Sequence, residues 1–192
     1  MAPKTKIDRD DIIAGAFSLV RECGEGALNA RTLAKRLGVS TQPIFSNFTA
    51  MSELRAEVIE KALNLYMKET EELMASNKYP QYKATGMAYI NFAKNEHELF
   101  KLLFMRDRSN DLSDDEAGFD KFQKIIGIVR NELSLTEAQA NDFHFNMWVY
   151  VHGIATMAAI GFLDIDEQTV SSAISHVYRG MCMACENEKK IN

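Results

Sequence analysis

Ser40, Thr41 and Gln42 stand in a row after Gly38-Val39, and Pro43 follows them. Three adjacent side chains able to donate and accept hydrogen bonds, ahead of a residue that stiffens the chain, suit the reading of base edges. Gln pairs bidentately with adenine, and a Thr methyl packs on a thymine methyl. Ser46 and Asn47, one turn further on, can reach phosphate or a further base. Upstream, Arg31 and Lys35 suit phosphate contacts, which position a protein on a duplex without specifying sequence. Lys4 and Lys6 form a short basic arm of the kind that enters a flanking minor groove.

Side chains of this kind work only if short elements hold them outward. The spacing predicts a first helix from about Arg9 to Cys23, with Ile12, Ile13, Ala16, Phe17 and Val20 on one stripe. Two glycines in "CGEGAL" end it. Asn29 is a good N-cap for a second helix, about Ala30 to Leu37. Gly38 breaks that helix, Ser40 is expected to cap a third, and the third ends near Phe48. Pro43 costs little in the first turn, where its missing N–H has no intrahelical partner anyway. Phe17, Val20, Leu28, Leu33, Ala34, Leu37, Val39, Ile44, Phe45 and Phe48 are expected to share one small core. Two short helices joined by a Gly turn make a helix-turn-helix, whose second helix places its start in the major groove. The same pattern also fits a purely structural three-helix module.

The rest of the chain also reads as helical. Pro is only 3 and Gly only 10 in 192 residues, and long stretches keep a 3.6-residue period. Further helices are expected over about Met51–Ala75, Gln81–Lys94, "EHELFKLLFM", Ala117–Glu132, from the Thr136/Gln139 capping box to about Gly161, and Glu167–Glu186 after Asp166. The fold class is therefore all-α: a three-helix helix-turn-helix domain over 1–50, followed by a roughly six-helix domain over 51–192.

Charge is distributed to match. Residues 1–55 hold eight Lys/Arg against six Asp/Glu, and the remainder fourteen against twenty-one, so contact with a polyanion is confined to the head. No apolar leader and no 18-residue apolar run is present, and three cysteines imply no disulfide framework, so the expected setting is cytoplasmic, without membrane contact. Cys182 and Cys185 form C-x-x-C, but a zinc site needs two more ligands and only His176 is close, so the pair reads as inert thiols, with a redox switch as the alternative. No Gly-rich phosphate loop, H-E-x-x-H or nucleophile elbow occurs. Neither an enzyme, a catalytic residue, a metal nor a cofactor is expected.

Periodicity suggests faces for a partner chain. Val170, Ile174, Val177, Met181 and Cys185 recur along the ninth helix, and Met147, Val151, Ile154, Ala158 and Phe162 along the eighth. Two such helices from each of two copies would form a four-helix interface, and burial within the monomer is the alternative. Met87, Ile90, Phe100, Leu103, Phe104, Met105, Met147 and Trp148 are candidates to line an apolar cavity, with His144, Tyr150 and His152 as polar anchors. A Met and aromatic stripe at helical spacing is more often simply core.

The run "DIIAGAFSLVRECGEGALNARTLAKRLGVSTQPIFSNF" followed by a long helix resembles the amino-terminal domain of the tetracycline-repressor (TetR) family. "AYINFAKNEHELFKLLFM" and "WVYVHGIATM" resemble the variant of that family's ligand-binding domain marked by Trp, His and Gly, here Trp148, His152 and Gly153. The resemblance implies a homodimeric transcription regulator that binds double-stranded operator DNA, most often a repressor released by a small-molecule inducer. It implies DNA contacts at Lys4, Lys6, Arg31, Lys35, Ser40, Thr41, Gln42, Phe45, Ser46 and Asn47. It implies ligand contacts among Met87, Ile90, Phe100, Phe104, Met105, Met147, Trp148 and His152, and a dimer seam at Val151, Ile154, Ala158, Val170, Ile174, Val177 and Met181. Two residues depart from the pattern. Phe45 stands where the family usually has Tyr, and Met51 where it usually has Lys. Each removes a phosphate contact, which implies weaker and less salt-sensitive DNA binding than the family norm.

Overall fold

The computed structural model describes residues 7–106 and 116–191, with side chains over 7–106 and 123–186. Lys4 and Lys6 lie outside the described residues. Among those described, the regular structure is all helical: α1 (Arg9–Cys23), a 3-10 turn (Glu25–Ala27), α2 (Ala30–Leu37), α3 (Gln42–Asn47), α4 (Met51–Ala75), α5 (Gln81–Asn95), α6 (His97–Phe104), α7 (Glu116–Leu133), α8 (Glu137–Ala159) and α9 (Glu167–Ile191).

Local chemistry explains most of these boundaries. Asp8 and Asp11 close a reciprocal capping box at α1, and the Asn29 side chain accepts from the Thr32 N–H at 3.0 Å to start α2. The α2 helix ends at Gly38, whose φ of 67° suits glycine, while the Val39 N–H closes back on the Ala34 carbonyl at 3.0 Å. The Thr136/Gln139 box opens α8, and Asp166 accepts from the Thr169 N–H at 2.9 Å to open α9. One expected cap is different. Thr41, not Ser40, occupies the N-cap of α3, and no side chain caps that helix. Pro43 already removes one of the N–H groups a cap would serve, so a side-chain cap there has less to gain.

The chain divides into two compact units: residues 1–67 with 96–106, and residues 68–95 with 107–192. In the first unit, α1 packs against α2 and α6. Ile12, Ala16, Leu19, Val20, Leu33, Ala34, Ile44, Phe48, Leu54, Val58, Leu99 and Phe100 are buried there. Phe45 was expected in this core, but it is 55% exposed. Ile44 and Phe48 take the inward positions of α3, and residue 45, one step round the helix from 44, must then face out.

Four arginines tie the first unit together through ion pairs. Arg9 bridges Glu53 at 3.1 Å and Glu57 at 2.8 Å while lying over the Phe48 ring at 4.5 Å. Arg36 pairs with Glu22, Arg55 with Glu25, and Arg21 with the buried carboxylate of Glu96. Gly24, at the end of α1, holds φ 80° and ψ 167°, a region essentially confined to glycine, and a Cβ there would come within 2.5 Å of the Glu98 carboxylate. Gly24→Ala is therefore expected to destabilise the protein by about 1–3 kcal/mol. Chemical denaturation of the two proteins checks this, and equal midpoints would show that the turn relaxes without cost.

In the second unit, α5 is the central helix, packed against α7, α8 and α9. Tyr82, Ala84, Thr85, Met87, Ala88, Tyr89, Ile90, Phe92 and Ala93 on α5 are all buried. A helix buried nearly all round suits the middle of a bundle. Val151 of α8 and Ile174 of α9 come within ordinary contact distance of Gly86, at 3.5 Å and 3.8 Å from a Cβ placed there.

Candidate nucleic-acid interface

The outward surface of α2 and α3 is built by subtraction. Leu33, Ala34, Ile44 and Phe48 anchor the two helices inward, which fixes what points away. Arg31, Lys35, Ser40, Gln42, Phe45 and Ser46 are exposed, and Thr41 and Asn47 are half-buried. The described residues expected to meet DNA thus share one helix-turn-helix surface.

The electrostatics of that surface are selective. Arg9, Arg21, Arg36 and Arg55 are each neutralised by a carboxylate within the same unit, and Arg36 holds the Glu22 carboxyl below its usual range through their hydrogen bond. Arg31 and Lys35 form no ion pair among the described residues. On α2, the positive charge left for an outside anion is therefore that of Arg31 and Lys35.

The polar groups of α3 are not all available. The Ser46 hydroxyl donates to the Gln42 carbonyl at 2.9 Å, and the Asn47 amide donates to the Pro43 carbonyl at 2.8 Å. Both close back on their own helix. Sequence reading gave these two residues a free donor each. It could not register that each has a carbonyl four residues upstream within reach. Gln42 keeps its amide free of any such bond, with half-buried Thr41 before it in the chain and the exposed ring of Phe45 three residues on.

The residues expected to line a ligand cavity fall in both units: Phe100, Phe104 and Met105 in the first, and Met87, Ile90, Met147, Trp148 and His152 in the second. Within the first, Phe100 is buried, Met105 is exposed, and the Phe100 and Phe104 rings pack tilted against each other with centroids 5.1 Å apart. Within the second, Met87, Ile90 and Met147 are buried. A narrow apolar cleft lies between Ile90, Ile154, Ala158, Leu163 and Val170, with Lys94 at its edge and no room for a water molecule.

Two of the three expected polar anchors, His144 and His152, are engaged with other side chains, while Tyr150 is half-buried. His144 Nδ1 is 2.9 Å from the Tyr82 hydroxyl, and His152 Nδ1 is 2.9 Å from the Tyr89 hydroxyl. The His152 ring also stacks on Trp148 at 5.0 Å. Burial pushes the His144 imidazole down to about 4 and lowers that of His152. Burial raises the Cys182 thiol, the reverse of what a reactive thiolate needs. No cluster of three or more metal-binding side chains occurs among the described residues, and none of their helices is long and apolar enough to cross a membrane.

Most of the residues expected at a seam on α8 and α9 are not on the surface of the single chain. Val151, Ile154, Ala158, Val170 and Ile174 are buried in the second unit's own core, while Val177 and Met181 are half-buried. The apolar surface left outside on α8 is Phe145, Val149 and Ile160, with Phe162 just beyond its end. Met183 is the large apolar side chain exposed on α9 among the described residues. Helix α8 is apolar on both sides, so periodicity alone assigned its inner face to a partner.

Comparison with known proteins agrees with this architecture. Residues 82–178 match the family model of the tetracyclin repressor-like carboxy-terminal domain. Over 118 residues the chain is 23% identical to the HTH-type transcriptional repressor KstR2 of Mycolicibacterium smegmatis, covering 59% of this chain and 58% of that repressor. The crystal structure of the probable transcriptional regulatory protein RHA5900 superposes with a TM-score of 0.55 at 14% identity, over 90% of this chain and 98% of that one, which is a likeness of fold. Trp148, His152 and Gly153 all fall inside the matched domain, and the chain belongs to the tetracycline-repressor-like family of transcriptional regulators.

Proposed function

We propose that this protein is a dimeric, sequence-specific DNA-binding repressor, released from a palindromic operator by a small apolar ligand. The observation that carries the DNA arm is the exposed start of α3 beside Arg31 and Lys35, the two cations of α2 without a carboxylate partner among the described residues. Charge without an internal partner next to side chains able to read bases is the footprint of a groove-binding helix. The name of the KstR2 relative supports repression over activation. The ligand arm rests on family membership and on the apolar interior of the second unit. A ligand acts by preferring a conformer whose two recognition helices are mis-spaced for the operator.

The test is selection of bound duplexes from a random pool by the full-length protein. Enrichment of one inverted repeat is expected, since a two-fold dimer reads two half-sites. No enrichment at low salt would overturn the reading.

The dimer seam in this proposal follows the exposed residues Phe145 and Val149 on α8 with Ile160 at its C-cap, and Ser172, His176, Gly180 and Met183 on α9. Val149→Asp is expected to convert the dimer to a monomer in sedimentation while leaving helical content intact, because Val149 is 49% exposed in the single chain. Wild-type protein that sediments as a monomer at micromolar concentration would remove the seam altogether.

A further inference from the structure

The face that α3 presents is unusual in what it offers. Ile44 and Phe48 are fully inward, so the helix cannot rotate to hide its neighbour, and the Phe45 ring stays 55% exposed. Gln42, Phe45 and Ser46 share one side, at i, i+3 and i+4. The Ser46 donor is engaged with the Gln42 carbonyl. That side therefore holds one free amide and one aromatic ring, with little other donor chemistry. A hydroxyl in the Phe45 position would have served phosphate; a bare ring serves apolar surface. In the major groove the only apolar feature on a base edge is the C5 methyl of thymine.

Resting on the DNA-binding reading above, we propose that Phe45 is a specificity-determining residue whose ring packs on the C5 methyl of a thymine in each half-site, next to the base pair read by Gln42. Side chains three apart on a helix lie about 5–6 Å from each other, and base pairs rise by about 3.4 Å. The thymine therefore stands one or two base pairs from the pair read by Gln42. The flanking cations Arg31 and Lys35 hold the helix on the backbone, and Phe45 supplies discrimination that no hydrogen bond on this face supplies.

The experiment takes the inverted repeat selected by the full-length protein and replaces its thymines with uracil, one symmetric pair at a time. Uracil pairs identically and lacks only the methyl. Affinities are measured by fluorescence anisotropy for the wild type, Phe45→Ala and Phe45→Leu. One symmetric pair of uracils is expected to weaken the wild type roughly tenfold, about three- to fourfold per buried methyl. The same substitution is expected to change Phe45→Ala less than about twofold, with Phe45→Leu in between. Thermal unfolding should be unaltered in both variants, since the ring is exposed. If every thymine tolerates uracil, or if uracil weakens wild type and Phe45→Ala equally, the methyl contact is overturned while the regulator reading stands. If no duplex is enriched, both fall together.

Discussion

Replacing Arg31 and Lys35 together with alanine is expected to weaken binding to every duplex alike and to flatten its salt dependence. Both side chains are exposed, and neither is tied to a carboxylate among the described residues. Each cation that neutralises one phosphate contributes about 0.9 units to the slope of log affinity against log salt. With two heads on one operator, the double variant should lose about three to four units of slope. Between about 50 mM and 200 mM salt the double variant should therefore lose roughly two orders of magnitude less affinity than the wild type does. The ratio of specific to non-specific affinity should hold, because phosphate contacts carry no sequence information. Arg36→Ala is the control. Its guanidinium is already paired with Glu22, so a substantially smaller change in slope is expected. Titrations of specific and random duplexes at several salt concentrations separate these outcomes. An unchanged slope in the double variant would place the backbone contacts elsewhere on the head.

The elements around this surface were legible because each boundary carries its own local signal. Asn29 before α2, Gly38 after it, the Thr136/Gln139 box and Asp166 state where a helix begins or ends without reference to the rest of the chain. What depends on the rest of the chain was not legible. Val151 and Ile154 point inward while Phe145 and Val149 point outward on the same apolar helix, and packing against α5, α7 and α9 decides between the two faces. The same holds for Phe45, whose type suggests a core and whose position is set by Ile44 and Phe48 on either side. It holds for α6, which packs on α1 while Arg21 meets Glu96 across 75 residues. Ser46 and Asn47 show the limit from the other direction: the residue types were read as donors to DNA, but the helix engages those donors first. The candidate site was thus visible as a list of exposed positions. Which of those positions still have chemistry to offer required the structure.

The second large effect belongs to the body rather than the head. Stability of the second unit is expected to fall steeply between neutral pH and pH 4 because of His144. The imidazole lies 92% buried on α8 against the Tyr82 hydroxyl of α5, and burial holds its folded-state value at about 4, against 6.5 when unfolded. The Tyr82 hydroxyl is itself raised by burial and stays protonated throughout this range. The unfolded chain therefore binds a proton at a pH where the folded chain does not. With the folded value depressed, stability is fully present above pH 6.5 and is lost as pH falls towards 4, after which the group adds no further slope. At about 1.36 kcal/mol per unit, the full loss is about 3 kcal/mol, of which about 2 kcal/mol appears between pH 7.5 and pH 5. His144→Gln keeps a partner for the tyrosine and removes the titration. It should be less stable than wild type at pH 7.5, with a gap that narrows by about 2 kcal/mol at pH 5. Trp148 is the single tryptophan of the chain and lies in the same unit, so its fluorescence reports this transition during denaturation. Carboxylates elsewhere titrate in both proteins and cancel in the difference. A gap that stays constant from pH 7.5 to pH 5 would mean that His144 takes up its proton in the folded protein as readily as in the unfolded one.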